Sequence, residues 1–169
     1  MVKLQPSKLI SRVRFPLPAP LSHSKKQAMS LQPFHLAFAV RDLNETRKFY
    51  IDILGCRPGR ESDKWLDLDF FGHQLSAHLK PEECAVAKAN EVDGDQVPVR
   101  HFGVVLEMSD WEKLAGRLKA HDIKFMIEPH IRFKGRTGEQ GTFFLTDPSG
   151  NALEFKTFRD IKNELFKAP

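Results

Sequence analysis

The chain reads as an α+β protein built from two tandem βαβββ modules, and three observations lead there. The strand-like segment 34–40 is followed by a helical stretch and three more strand-like segments, and the same element order returns from residue 101. A histidine opens the leading strand of each half, as His35 in PFHLAFAV and His101 in RHFGVVLEM. Between the halves, residues 80–99 carry Pro81, several alanines, Asp93-Gly94-Asp95 and Pro98, the composition of a linker.

Each element has a local reason. In DLNETRKFYIDILG the residues Leu43, Phe49, Ile53 and Leu54 make an apolar stripe, and Gly55 stands where a helix stops. Short strands follow at about 57–61, in WLDLDFF and in HQLSAHL. In the second half SDWEKLAGRLKAHDI predicts a helix that Ser109 can cap, with Trp111, Leu114 and Leu118 facing the core. The segments KFMIEPHIRF, GTFFLTD and NALEFKTF complete the set, the last two joined by the turn Pro148-Ser149-Gly150, and DIKNELFK reads as a terminal helix. The resulting division is a leader over 1–30, a folded region over 31–158 (module one 33–80, linker 81–99, module two 100–158) and a C-terminal helix over 159–169.

Strand parity then groups the polar residues. His35, Ala37 and Ala39 share one face while Phe34, Leu36, Phe38 and Val40 share the other; His101, Gly103 and Val105 oppose Phe102, Val104 and Leu106; Ala152, Glu154 and Lys156 oppose Leu153 and Phe155. The bulky faces pack on helices, and the polar residues sit among small neighbours on an open wall. Two neutral imidazoles and a carboxylate on such a wall, His35, His101 and Glu154, suit Fe(II), Mn(II), Zn(II) or Ni(II) with coordination positions left free. The bland alternatives are half-buried histidines bonded to their neighbours, and a Glu154 paired with Lys156 at the same parity.

Taken together, the paired modules, the two strand histidines, DLNETRKFYIDILG and LTDPSGNALEF resemble the vicinal oxygen chelate superfamily, which includes glyoxalase I, fosfomycin- and bleomycin-resistance proteins and extradiol dioxygenases. The resemblance spans about residues 33–158. It implies an open, cupped mixed β-sheet barrel around a metal cavity, with ligands on the first and last strands of each module: His35, a residue of HQLSAHL, His101 and Glu154. Parity selects His78 for the remaining position, on the face of Gln74 and Ser76. Glyoxalase I has a glutamate there, so this chain has one carboxylate where that enzyme has two. His78 is either a ligand or an acid/base beside the metal.

Composition excludes other classes. The formal charge is +4, but six basic residues and no acidic ones precede Met29; removing six from 26 leaves 20 basic against 22 acidic residues, so the body is not a basic nucleic-acid binder. No apolar run is long enough to cross a bilayer. Cys56 and Cys84 lack redox or metal-ligand spacing and are expected as free thiols. The Pro- and Ser-containing leader has the composition of an organelle transit peptide; its rivals are upstream sequence before a start at Met29 and a plain tail, so the expected compartment is the cytoplasm or an organelle.

The function these features imply is a metal-dependent, dioxygenase-like enzyme, Fe(II) first among the metals, that binds a small substrate through vicinal oxygens. His78 and Glu154 are the candidate proton-moving groups, and His130, Arg132, Lys134 and Arg136 the cations that could grip an anionic substrate. Extradiol enzymes usually carry a tyrosine where Phe144 stands. The alternatives are a glyoxalase-like lyase or isomerase and a non-catalytic, resistance-type small-molecule binder, and the resemblance is compatible with a homodimer.

Overall fold

The structure, a computed structural model, describes residues 31–85, 88–92 and 94–167; the expected leader, 1–30, lies outside them. Strand β1 (His35–Val40) runs into helix α1 (Leu43–Arg47), which starts where it does because the Asp42 carboxylate accepts the backbone N–H groups of Asn44 and Glu45 at 2.7 and 2.8 Å. The helix continues over Lys48–Ile53 with π-helical bonding, where Phe49 and Tyr50, adjacent in sequence, are both buried. Gly55, at φ 84°, turns the chain out of the helix in a conformation that disfavours a side chain. Three antiparallel strands complete the module: β2 (Arg57–Glu61), β3 (Trp65–Phe70) and β4 (His73–Leu79). The sheet order is β1-β4-β3-β2, with β1 and β4 parallel.

Module two repeats this topology. Strand β7 (His101–Val105), helix α2 (Met108–Ala120), β8 (Phe125–Arg132), β9 (Gln140–Thr146) and β10 (Ala152–Thr157) give the order β7-β10-β9-β8, with β7 and β10 parallel. Helix α2 is capped at Glu107 and not by Ser109, with no side-chain cap bond, because the helix starts one residue before Ser109. The expected linker is more ordered than its composition suggests: after a 3₁₀ turn at Pro81–Glu83, strands β5 (Ala89–Val92) and β6 (Asp95–Pro98) pair as an antiparallel hairpin. The expected terminal helix shrinks to one turn, α3 (Ile161–Glu164).

The bulky faces of the two sheets share one core. Leu66, Leu68, Phe70 and Leu75 of module one join Phe143, Leu145, Leu153 and Phe155 of module two, with Phe49, Tyr50, Trp111 and Leu118 from the helices. Fully burying each such side chain is worth roughly 1.5–3 kcal/mol. Polar bonds pin the seam between modules: Asn151 Nδ2 donates to the Ala39 carbonyl at 3.0 Å, the Arg41 amide to Ser149 Oγ at 2.8 Å, and the buried Tyr50 hydroxyl to Asp147 Oδ2 at 3.1 Å. The two modules form the open, mixed-sheet α+β architecture that the sequence predicts. The two four-stranded sheets are not joined by strand pairing, and because their bulky faces meet in a common core, their small-residue faces both look away from it.

Candidate functional site

On module two, Gly103 and Glu154 are direct partners in the β7–β10 ladder, and His101 opens the same strand as Gly103. Gly103 is obligatory: a Cβ there would overlap the backbone carbonyl of Glu154. The close approach brings His101 Nε2 to 3.1 Å from Glu154 Oε2. His101 Nδ1 donates to the Pro98 carbonyl at 2.6 Å, which fixes the ring and directs Nε2 at the carboxylate. Glu154 is 5% exposed; Thr142 Oγ1 donates to its Oε1 at 2.8 Å and Lys156 Nζ lies 3.3 Å from Oε2.

The electrostatics follow from these contacts. The hydrogen bond to Glu154 is the largest influence on His101 and raises its pKa, against the opposing effect of burial. Burial pushes Glu154 up, but the bond from His101, the Lys156 charge and the Thr142 hydroxyl outweigh it and hold the carboxyl below its usual range. Phe144, fully buried, packs edge-on to the His101 ring with centroids 5.2 Å apart.

Module one carries a second polar cluster that sequence reasoning missed. Asp67 is buried and accepts Ser76 Oγ at 2.5 Å, Arg60 Nη2 at 3.1 Å and Gln74 Nε2 at 3.3 Å, while Gln74 Oε1 lies 3.0 Å from His35 Nδ1. Burial raises the Asp67 pKa, but the Ser76 and Arg60 bonds overcome it and the net shift is downward. The alternation of WLDLDFF placed Asp67 opposite its apolar neighbours, and that was the available signal.

The candidates therefore fall into separate groups. His101 and Glu154 are together; His35 is joined to Gln74; His78 is exposed, pairs with Ala39 and Trp65 in the ladders, and lines a cleft of about 320 Å³ with Ala37, Ala39, Lys80 and Glu83. An adjoining cleft of about 450 Å³ at the seam is lined by His101, Arg100, Asn151, Ala37, Ala39 and Glu83. Among the described residues no group of three or more His, Cys, Asp or Glu comes close enough to hold a metal ion. Superposing the two ladders by register matches His35 to His101, Ser76 to Glu154 and His78 to Lys156. His78 is thus two residues beyond the position equivalent to Glu154, which is Ser76. His130 and Arg132 lie in β8 beneath the β5–β6 hairpin, whereas Lys134 and Arg136 are exposed. Both cysteines are free; Cys56 is buried, and that burial pushes its thiol up to about 12. Among the described residues no helix is long and apolar enough to cross a membrane.

Comparison with known proteins gives these faces a family. Residues 32–155 match the model of the Glyoxalase/Bleomycin resistance protein/Dioxygenase superfamily. The chain belongs to that superfamily. This superfamily member is similar to a glyoxalase/bleomycin resistance protein/dioxygenase from Alicyclobacillus acidocaldarius, at 38% identity and a TM-score of 0.65 over 78% of this chain and 94% of that one. It shares its fold with the fosfomycin resistance protein FosX from Listeria monocytogenes (17% identity, TM-score 0.57, 77% of this chain and 95% of that one). Lactoylglutathione lyase from Agrobacterium tumefaciens also has this fold (17% identity, TM-score 0.53, 80% and 96%). No curated protein matches the chain.

Proposed function

We propose that this superfamily member is a divalent-metal enzyme that holds a small substrate through two adjacent oxygens, with His101 and Glu154 as two of the metal ligands. One observation carries the reading. The Nδ1 proton of His101 is committed to Pro98, so an imidazole lone pair and a carboxylate oxygen face each other at 3.1 Å, and that gap calls for a cation. A proton on His101, the Lys156 ammonium or a divalent ion can each supply the charge, and the donor set suits the last. The further ligand proposed is His35, on module one's outward face, with His78 of the same face either a fourth ligand or an acid/base beside the metal. Because the module faces look away from the shared core, the set is proposed to close between two copies of the chain, in a homodimer.

Two histidines and one carboxylate favour Fe(II) and dioxygenase-like chemistry, with Mn, Zn or Ni as rivals. A bound metal would act as a Lewis acid on the chelated oxygens. In the chain itself, Thr142 and Lys156 hold Glu154 ionised and oriented, so it can accept a proton; His78, exposed at the cleft, is the group proposed to pass one to solvent. Phe144 favours the second reading, a glyoxalase-like lyase or isomerase, because it seals His101 with an apolar ring and offers no hydroxyl as a proton donor. The Lys156 contact is what supports the third reading, a non-catalytic binder.

Metal analysis and sedimentation of wild type, His101→Ala and Glu154→Gln test the proposal. The expected result is a dimer with bound metal that both variants lose; iron with oxygen consumption selects the dioxygenase, and nickel or zinc with oxygen-independent turnover the lyase. A wild-type protein that neither contains nor takes up Fe, Mn, Zn or Ni overturns the enzyme reading. His78→Ala should either lower metal occupancy or keep the metal and lose turnover, and a variant unchanged in both removes His78 from the site.

A further inference from the structure

On the same face as Glu154, a second buried charge lacks its full set of partners. Arg132 is 4% exposed; its Nη2 donates to the Val92 carbonyl, while its Nε has no hydrogen-bond partner and lies 3.6 Å from Asp95 Oδ2. Asp95 Oδ2 is itself buried without a hydrogen bond, although His130 Nε2 is 3.2 Å away. The other ring nitrogen of His130 is engaged by the Glu128 carbonyl at 2.7 Å. A guanidinium and an imidazole thus converge on one carboxylate, and neither reaches it with good geometry. The side of a guanidinium that presents Nε and Nη2 suits a planar carboxylate making two parallel bonds; here one donor is spent on a backbone carbonyl and the other misses.

The register places this cluster beside the His101–Glu154 pair. His130 is the ladder partner of Thr142 and Arg132 that of Gln140, and Thr142 is the residue that bonds Glu154. Strand β8 is two strand spacings from β10, about 10 Å. The hairpin that supplies Val92 and Asp95 also supplies the Pro98 carbonyl that orients His101, so it covers both features.

We infer that His130 and Arg132 form a subsite for a carboxylate carried by a small-molecule ligand, and that Asp95 on the β5–β6 hairpin occupies it as an internal stand-in. The inference rests on reading the neighbouring pair as the reacting centre, and it narrows the substrate to one that carries a carboxylate apart from the oxygens held there. Lys134 and Arg136, exposed beyond the end of β8, lie outside the subsite.

Calorimetric titration with butyrate, and with butyramide as its uncharged match, tests this without any activity assay. Wild type should bind butyrate in the millimolar range and butyramide not at all. Asp95→Asn, close in shape but without the competing charge, should bind butyrate at least ten-fold more tightly, and adding Arg132→Gln should abolish binding. Asp95→Ala, read the same way, guards against an amide that re-forms the contact, and circular dichroism confirms folding of each variant. Butyrate binding equal in wild type and both Asp95 variants, or retained without Arg132, overturns the inference and leaves Asp95 as a clamp for the hairpin. Metal content recorded on the same samples separates the two readings: carboxylate binding without metal sinks the metal centre alone, and metal without carboxylate binding sinks the subsite alone.

Discussion

Gly103 shows how one residue sets the geometry of the candidate centre. In the sequence it is a small neighbour of His101 and suggests open space; in the fold it is the point where two backbones touch, since any side chain there would meet the carbonyl of Glu154. Gly103→Ala must push β7 and β10 apart, at a cost of about 1–3 kcal/mol or more. It should lower the melting temperature and, if the metal proposal holds, metal occupancy with it. An unchanged melt would mean that the ladder tolerates a looser approach than its spacing indicates. Glu154 and His101 were legible from parity, because alternation fixes the face of a strand residue. Their orienting partners were not: Pro98 and Thr142 reach the pair from a hairpin and a neighbouring strand that parity cannot align.

At the scale of elements, the strands were legible and their registers were not. Alternation groups His78 with Gln74 and Ser76, but only the β1–β4 ladder reveals that Ser76 is the match of Glu154. The helices were recognisable from their apolar stripes, while the start of α2 moved because Glu107, not Ser109, is its cap. The β2–β3 pair offers a pH test. Arg57 and Asp69 face each other across that ladder, and the Arg57 bond, helped by the Gly72 amide, holds the Asp69 carboxyl below its ordinary value. A lowered folded value contributes stability that is present above the ordinary aspartate pKa and is lost as pH falls through the lowered one. Arg57→Gln should therefore move the Asp69 titration upward in an NMR pH series. The stability difference between wild type and variant should be present at neutral pH and vanish in strong acid, and it should be small because Arg57 is mostly exposed. A difference that persisted below the carboxylate range would point to packing, not charge.

For the whole molecule, the question is what keeps two modules of the same topology in one arrangement. The shared aromatic core supplies most of the energy, and the turn after β9 supplies direction: Asp147 accepts the amides of Ser149 and Asn151, Asn151 reaches the Ala39 carbonyl, and Tyr50 closes the contact from α1's π-helical end. Tyr50→Phe leaves Asp147 Oδ2 with the Asn151 amide alone and should cost about 1–3 kcal/mol, a hydrogen bond to a charged group being lost in a buried place. Thermal melts check it, and an unchanged midpoint would show that apolar packing alone fixes the seam.

By itself the sequence determined the element order within each module, the internal repeat, the core faces and the polar faces, because periodicity of two and of 3.6 residues is a local property that burial enforces. It also singled out His101 and Glu154, one at the start and one near the end of module two. Only the tertiary structure decided which way the two polar faces look. Both sheets bury their bulky sides in one core, so His35 and His78 stand apart from the His101–Glu154 pair within a single chain. The hairpin over β8 was equally beyond reach: residues 89–98 have the composition of a linker, and their order comes from contacts such as Arg132 to Val92 that join residues far apart in the sequence. Non-local contacts of this kind leave no period in the chain, and they are what turns two repeated modules into one molecule with a particular set of neighbours around each charge.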